Sequence, residues 1–168
     1  FLLKARGVSL GRSSEEYLAA EMTPELLDEA RRLLRARGDR MMLPFDVAVD
    51  RGGRRVELMV GDLPSPYPIL DIGEMSIAKF CKVLRSARTI FISGPAGMIE
   101  REEFSLGTRE IMEAAARSSA FSMAGGGHTV GMVNRLGLAG QFSYVSTGGG
   151  ALETYLKGKS LPVVEALK

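Results

Sequence analysis

The sequence holds one cysteine, one histidine and no tryptophan. A single thiol, Cys81, closes no internal disulfide, and with His128 as the only imidazole no zinc set of Cys and His can be assembled. Cys81 lies between Phe80 and Lys82 in an amphipathic stretch and is expected to be a buried packing residue. Missing as well is any apolar run of the roughly 18 to 20 residues that a membrane helix needs, and any opening pattern of a secretory signal. The expectation is a soluble, cytoplasmic chain with no membrane partner. Excess charge of one sign is also absent: 22 basic residues face 20 acidic ones, a formal net of +2. The arginine-rich stretches 31–40 and 51–55 fall on a predicted helix and a hairpin turn and read as solvated faces, with Asp28 four residues before Arg32 to pair along the helix. A nucleic-acid partner calls for a one-sided basic stripe or exposed aromatics, and neither is evident.

Three motifs are absent too. No Gly-x-x-x-x-Gly-Lys-Ser/Thr run exists, which excludes a P-loop, and no Gly-x-Gly-x-x-Gly opens a βαβ unit, which sets aside a dinucleotide oxidoreductase. No Gly-x-Ser-x-Gly elbow precedes His128 to build a nucleophilic triad.

What is there suits one core. The 168 residues are 45% apolar, enough for a single domain, 1–168. The chain opens Phe1-Leu2-Leu3 without methionine and is expected to be a fragment. Phe1 to Ala5 suits the end of a helix or strand, followed by a loop through Gly11 to Ser14. Thr23 is placed to cap a helix carrying Pro24 and Glu25 in its first turn and Leu26, Leu27, Ala30, Leu33 and Leu34 on one face, until Gly38 stops it. Met41 to Leu43 and Phe45 to Val49 read as short strands, and residues 50–54 turn the chain into a return strand around Val56 to Val60. A proline-interrupted segment, Leu63 to Pro68, leads to a helix from about Met75 to Leu84.

Then one theme repeats three times. Thr89 to Ile92, Phe121 to Met123 and Phe142 to Val145 are β-prone runs, ending respectively at Gly94-Pro95, at Gly125 to Gly127 and at Gly148 to Gly150. Helix-compatible sequence follows each, at about Thr108 to Arg117, Val130 to Leu136 and Ala151 to Leu156. The pattern predicts an α/β fold: a three-layer open sheet with mainly parallel strands and helices on both faces. Ligands in such sheets sit beyond the carboxyl ends of the strands, where all three glycine turns fall. Glycine lets the backbone approach a ligand, and each helix N-terminus adds N–H groups and partial positive charge, so phosphate is the natural guest. The turns alone do not choose among a mononucleotide, a dinucleotide and a sugar phosphate.

Several runs together resemble the phosphoglycerate kinase family, most closely its archaeal members. They are Ser93-Gly94-Pro95-Ala96-Gly97-Met98-Ile99-Glu100, Phe104 with Gly107-Thr108, Gly125-Gly126-Gly127-His128-Thr129, residues 143–153, and Gly158-Lys159-Ser160-Leu161-Pro162. Leu43-Pro44-Phe45-Asp46 and Asp71-Ile72-Gly73 also fall in the family's order. The resemblance implies the Rossmann-like C-terminal lobe of a two-lobed kinase, incomplete at its N-terminal side, that uses ATP or ADP with Mg²⁺ to phosphorylate 3-phosphoglycerate reversibly in glycolysis and gluconeogenesis. It implies that Gly94, Pro95 and Gly97 approach the nucleotide phosphates, that Glu100 meets the ribose, and that Leu70 helps enclose the adenine. Gly125, Gly126, Gly127 and Thr129 would lie against the phosphates. Gly148, Gly149 and Gly150 would offer N–H groups to the transferring phosphoryl, with Ser146 and Thr147 near the hinge.

Two departures stand out. His128 occupies a position where the family commonly has an aspartate associated with Mg²⁺, and Ser93 replaces the usual asparagine. A neutral imidazole is a poor ligand for so hard an ion, so His128 is expected to face the phosphates and Mg²⁺ to be held mainly through the nucleotide, with no protein metal ligand assigned. The segment alone is expected to be inactive, because the family's basic residues for phosphoglycerate have no counterpart here. Exposed sheet edges would favour self-association. The alternative is a noncatalytic nucleotide-binding module lacking a substrate lobe.

Overall fold

Residues 1–167 are described by the computed structural model. The chain begins with α1 (Leu2–Ala5), α2 (Arg12–Ala19) and α3 (Pro24–Arg37). Thr23 caps α3 as its sequence predicts, its hydroxyl accepting from Leu26 N at 3.3 Å, with Pro24 in the first turn. Only Ala30 of the predicted apolar face is fully buried; Leu26 and Leu33 are exposed. The charge pairing along α3 is one residue tighter than expected. Arg31 bonds Asp28 and Arg32 bonds Glu29, both at i,i+3.

Three further elements differ from the sequence reading. The stretch read as a loop through Ser14 is the start of α2, whose Ser14 hydroxyl turns inward and accepts from Ile69 N at 3.0 Å. Met41 to Leu43 forms no strand; it follows a 3₁₀ turn at Gly38–Arg40 and runs into Pro44, which has no N–H to give a ladder. Ile69–Ile72 forms a strand, β3, that the surrounding prolines obscured.

The first sheet is antiparallel, in the order β2-β1-β3, with β1 at Asp46–Arg51 and β2 at Arg54–Met59. Its hairpin turns at Gly52 and Gly53, both at positive φ, a geometry that glycine adopts without a Cβ penalty. Helix α4 (Glu74–Ser86) follows β3, and its N-terminus is held from a neighbouring strand. Asp46 carboxylate oxygens accept from Met75 N at 2.9 Å and Ser76 N at 2.8 Å, supplying the cap that Gly73 cannot.

The second sheet is the predicted α/β unit: β4 (Thr89–Ser93), β5 (Phe121–Gly125) and β6 (Tyr144–Ser146) run parallel in the order β4-β5-β6. Helices α5 (Leu106–Ala116) and α6 (Gly127–Arg135) make the crossovers, and α7 (Gly149–Leu156) and α8 (Pro162–Ala166) follow β6. Period-two alternation sends Ile90 and Ile92 inward, where they meet Met112, Ala115, Ala124, Met132 and Val133 in the main core. Burying side chains such as Met112 and Val133 stabilises the fold by about 1.5–3 kcal/mol each. The intervening Phe91 points to the opposite face, where its ring and Leu152 of α7 both lie close to Gly125. Cys81 is buried on α4 as expected, beside Ile77 and Ala114.

Candidate functional site

A cavity of about 560 Å³ opens beside the carboxyl end of β4. One wall is α2, with Ser14, Tyr17 and Leu18; another is β3, with Ile69 and Leu70; the third is the loop Pro95 to Glu100, and His128 of α6 closes one side. Leu70, Pro95, Gly97, Glu100 and His128 are thus gathered into one space from three separate stretches of sequence. The walls are mostly apolar, and Glu100 and His128 are exposed polar groups at the cavity. A planar apolar ring with polar substituents suits such a container.

The loop 94–100 is fixed by its backbone. Met98 N donates to Leu70 O at 2.8 Å, while Ala96 N and Gly97 N share the buried Thr108 hydroxyl at 3.0 and 3.3 Å. Gly97 itself is pressed between Phe104 O and the Asp71 carboxylate, where a Cβ would lie 2.3 Å from one and 2.4 Å from the other. Only glycine fits there.

The three glycine turns meet one another. Gly94 N donates to Thr129 Oγ1 at 2.7 Å, joining the β4 turn to α6, and Ser93 Oγ donates to Glu153 Oε1 at 3.3 Å, joining it to α7. Gly149 packs on the backbone of Gly126. Neither α6 nor α7 has a side-chain cap, and their first helical bonds run from Val130 N and Leu152 N. The earlier amides at Gly127, His128, Gly149 and Gly150 face no capping oxygen of their own helix, the arrangement that favours an anion. Gly125 and Ser146 are register partners on β5 and β6, and Thr147 is exposed just beyond. None of Gly125 to Gly127, Ser146, Thr147 or Gly148 to Gly150 lines the 560 Å³ cavity. The structure therefore has two adjoining parts, an apolar cavity and a cluster of glycine turns, with His128 and the Gly94–Thr129 bond between them.

An ion pair behind the loop escaped the sequence reading, which placed Arg55 on a solvated turn. Its side chain is only 14% exposed, and Nη1 meets the fully buried Asp71 carboxylate at 2.8 Å. Arg55 also donates to Glu57 Oε1 at 2.8 Å, Ile72 O at 2.9 Å and Glu103 O at 3.0 Å. Asp71 accepts in addition from Gly107 N at the start of α5 and from Ile72 N, each at 2.9 Å. Burial works against the Arg55 charge, yet Asp71 and Glu57 more than offset it and its pKa rises. Asp71 itself is pushed up, because desolvation outweighs the donors from Gly107, Arg55 and Ile72. The pair is costly to bury as well as mutually attractive, which suits a part that fixes geometry more than one that adds stability. Nearby, Arg101 bonds Asp50 at 2.5 Å and lies 4.6 Å from the centroid of the Phe104 ring.

The α2 wall also went unread. Ser14 and Leu18 stand four apart on one face of α2, with Leu10 just before its start, a signal that the polar neighbours Arg12, Ser13, Glu15 and Glu16 disguised.

Comparison with known proteins bears on this arrangement. The family model for phosphoglycerate kinase matches residues 1–159. The chain is 39% identical over 168 residues to phosphoglycerate kinase of Thermoplasma acidophilum, covering 99% of this chain and 41% of that protein's length. It is 42% identical over 167 residues to that of Methanosarcina mazei, covering 99% of this chain and 40% of that protein. Among solved structures, phosphoglycerate kinase from Pyrococcus horikoshii OT3 superposes with a TM-score of 0.89 at 36% identity, covering 99% of this chain and 42% of the other. Phosphoglycerate kinase from Coxiella burnetii gives 0.85 at 34% identity, covering 99% and 43%. The chain thus spans about two fifths of the length of these relatives.

Proposed function

This chain belongs to the phosphoglycerate kinase family, and on that premise we propose that residues 1–168 form one nucleotide-binding domain, the ATP/ADP lobe of a two-lobed cytoplasmic kinase. The observation that carries the reading is the cavity that gathers Leu70, Pro95, Gly97, Glu100 and His128 next to two helix N-termini without side-chain caps. Leu70 and the apolar walls enclose the adenine, Glu100 accepts from ribose hydroxyls, and the phosphates run from the Gly94 to Gly97 loop toward Gly125 to Gly127 and Thr129.

In the whole enzyme, a carboxylate oxygen of 3-phosphoglycerate attacks the γ-phosphorus of ATP while the β–γ bridging P–O bond breaks, its electron pair leaving with ADP. The product is 1,3-bisphosphoglycerate, and the reaction runs in either direction. Protein catalysis of such a transfer is positioning plus neutralisation of charge on the moving phosphoryl. Amides at Gly148, Gly149 and Gly150 supply part of that neutralisation, and Ser146 and Thr147 form part of the hinge. Among the described residues no group of three or more His, Cys, Asp or Glu side chains could hold a metal ion. In this reading Mg²⁺ arrives on the nucleotide phosphates and screens their charge, and His128 donates to a phosphate oxygen. The outer strands β4 and β6, together with the exposed Phe91, Phe121 and Tyr144, favour self-association of this chain.

Calorimetric titration with MgADP, alongside Glu100→Ala, tests the site. Saturable binding that weakens about tenfold or more in the variant is expected, in line with a lost hydrogen bond to a charged acceptor. A folded chain that binds no MgADP, or binds it equally in both forms, overturns the assignment.

A further inference from the structure

A second cavity, about 470 Å³, lies between α1 and α3 and shares no lining residue with the first. Its floor is apolar, built from Ala5, Leu34, Met41 and Leu43. Its polar lining is unusual: Arg6 follows α1, Arg31 and Arg35 stand one turn apart on α3, and no acidic residue lines the space. Arg31 and Arg35 occupy i and i+4, a like-charge arrangement that destabilises a helix unless something neutralises it. The protein supplies little neutralisation. Arg31 reaches the exposed Asp28 at 3.1 Å with one guanidinium nitrogen, whereas the Arg6 and Arg35 side chains have no carboxylate or hydrogen-bond partner among the described residues. Arg35 lies in the last turn of α3, where the helix dipole favours a cation, but no such end effect accounts for three arginines lining one apolar cleft.

We propose that this cleft is a second ligand site, separate from the nucleotide cavity, for a small organic phosphate whose phosphoryl group is clamped by Arg6, Arg31 and Arg35 and whose apolar body rests on Leu34, Met41 and Leu43. Guanidinium groups match phosphate oxygens in a forked, charge-assisted geometry. The apolar floor distinguishes such a ligand from a bare anion, since the body adds contact area that inorganic phosphate lacks. The proposal stands on the arginines and the floor alone and does not depend on the kinase reading.

Phenyl phosphate is the probe, with inorganic phosphate and phenol as comparators, followed by NMR of this chain at fixed ionic strength. The expected result is saturable shifts of the Arg6, Arg31 and Arg35 Nε–H signals and of the Leu34 methyls. Binding should be about tenfold tighter for phenyl phosphate than for inorganic phosphate or phenol. The double variant Arg6→Gln/Arg35→Gln, which removes two exposed side chains without partners, should weaken phenyl phosphate about tenfold or more while leaving MgADP binding and the melting temperature unchanged. Non-saturating shifts, equal affinity for inorganic phosphate, or an unaffected double variant would each overturn the proposal, as would shifts confined to His128 and Gly126.

Discussion

Gly149 stands directly on Gly126: a Cβ at position 149 would lie 2.4 Å from Gly126 Cα and 2.6 Å from its amide nitrogen. The contact is backbone on backbone, so no side chain can swing aside. Gly149→Ala is therefore expected to cost about 1–3 kcal/mol, the range for a forced overlap in a packed region. Gly150→Ala, with open space around its Cβ position, is expected to be neutral or stabilising by up to about 1 kcal/mol through helix propensity. Urea denaturation of the two variants side by side reads the difference, and equal midpoints would contradict the close approach.

Asp71 is the hub between β3, Arg55 and the start of α5. Asp71→Ala removes the buried partner of a largely buried guanidinium, leaving it only the more exposed Glu57, and leaves Gly107 N without an acceptor. A loss of about 3–5 kcal/mol is expected, as for other broken buried pairs. Replacing both partners, Asp71→Leu with Arg55→Met, is expected to recover part of it, with Gly107 N still lacking its acceptor. Denaturant unfolding of the single and double variants measures the recovery, and MgADP titration of the double variant then asks whether the loop beside Gly97 keeps its position without the pair.

The pH dependence has two opposed contributions. The Arg101 hydrogen bond, aided by Gly53 N, holds the Asp50 carboxyl below its ordinary value despite some desolvation. Its stabilising contribution is complete above the unfolded value of about 3.9 and is lost as pH falls through the lower folded value. Asp71 is raised by burial, so the folded chain takes up that proton more readily than the unfolded one, and its contribution declines as pH climbs through the folded value. Asp50→Asn is expected to flatten the loss of melting temperature below about pH 4, and thermal melts across pH 3 to 6 check it. An unchanged slope would remove Asp50 from the account.

Cys81 is 4% exposed, and its thiol pKa is raised chiefly by burial, with Arg85 opposing and Glu110 adding. Both factors suppress the thiolate that reacts with alkylating or disulfide reagents. Labelling by a thiol reagent at pH 8 is expected to be at least about a hundredfold slower than in the urea-unfolded chain. Fast labelling of the folded protein would show that α4 opens readily from α5.

Much of the second sheet was legible from the residues themselves. Thr89–Ser93, Phe121–Gly125 and the helices after them carry a clean switch from period two to period 3.6, each punctuated by glycine, and local patterning of that kind survives whatever the tertiary context. Thr23 and Pro24 announced α3 for the same reason: a cap satisfies amides only a few residues away. The family motifs, read in order, pointed to the membership that the comparisons bear out.

What only the tertiary structure decided involves partners far apart in the chain. That Ser14 meets Ile69, making α2 a cavity wall, depends on a bond across 55 residues. That Arg55 is buried against Asp71, and not solvated in a turn, depends on β2 and β3 both flanking β1. Gly149 and Gly126 come together only because β5 and β6 pair in parallel and bring their carboxyl ends level. Sequence determined the local elements because propensity, capping and periodicity act over a few residues. The cavity, the ion pair and the meeting of the glycine turns arise from sheet order and register, which are set by the packing of the whole chain.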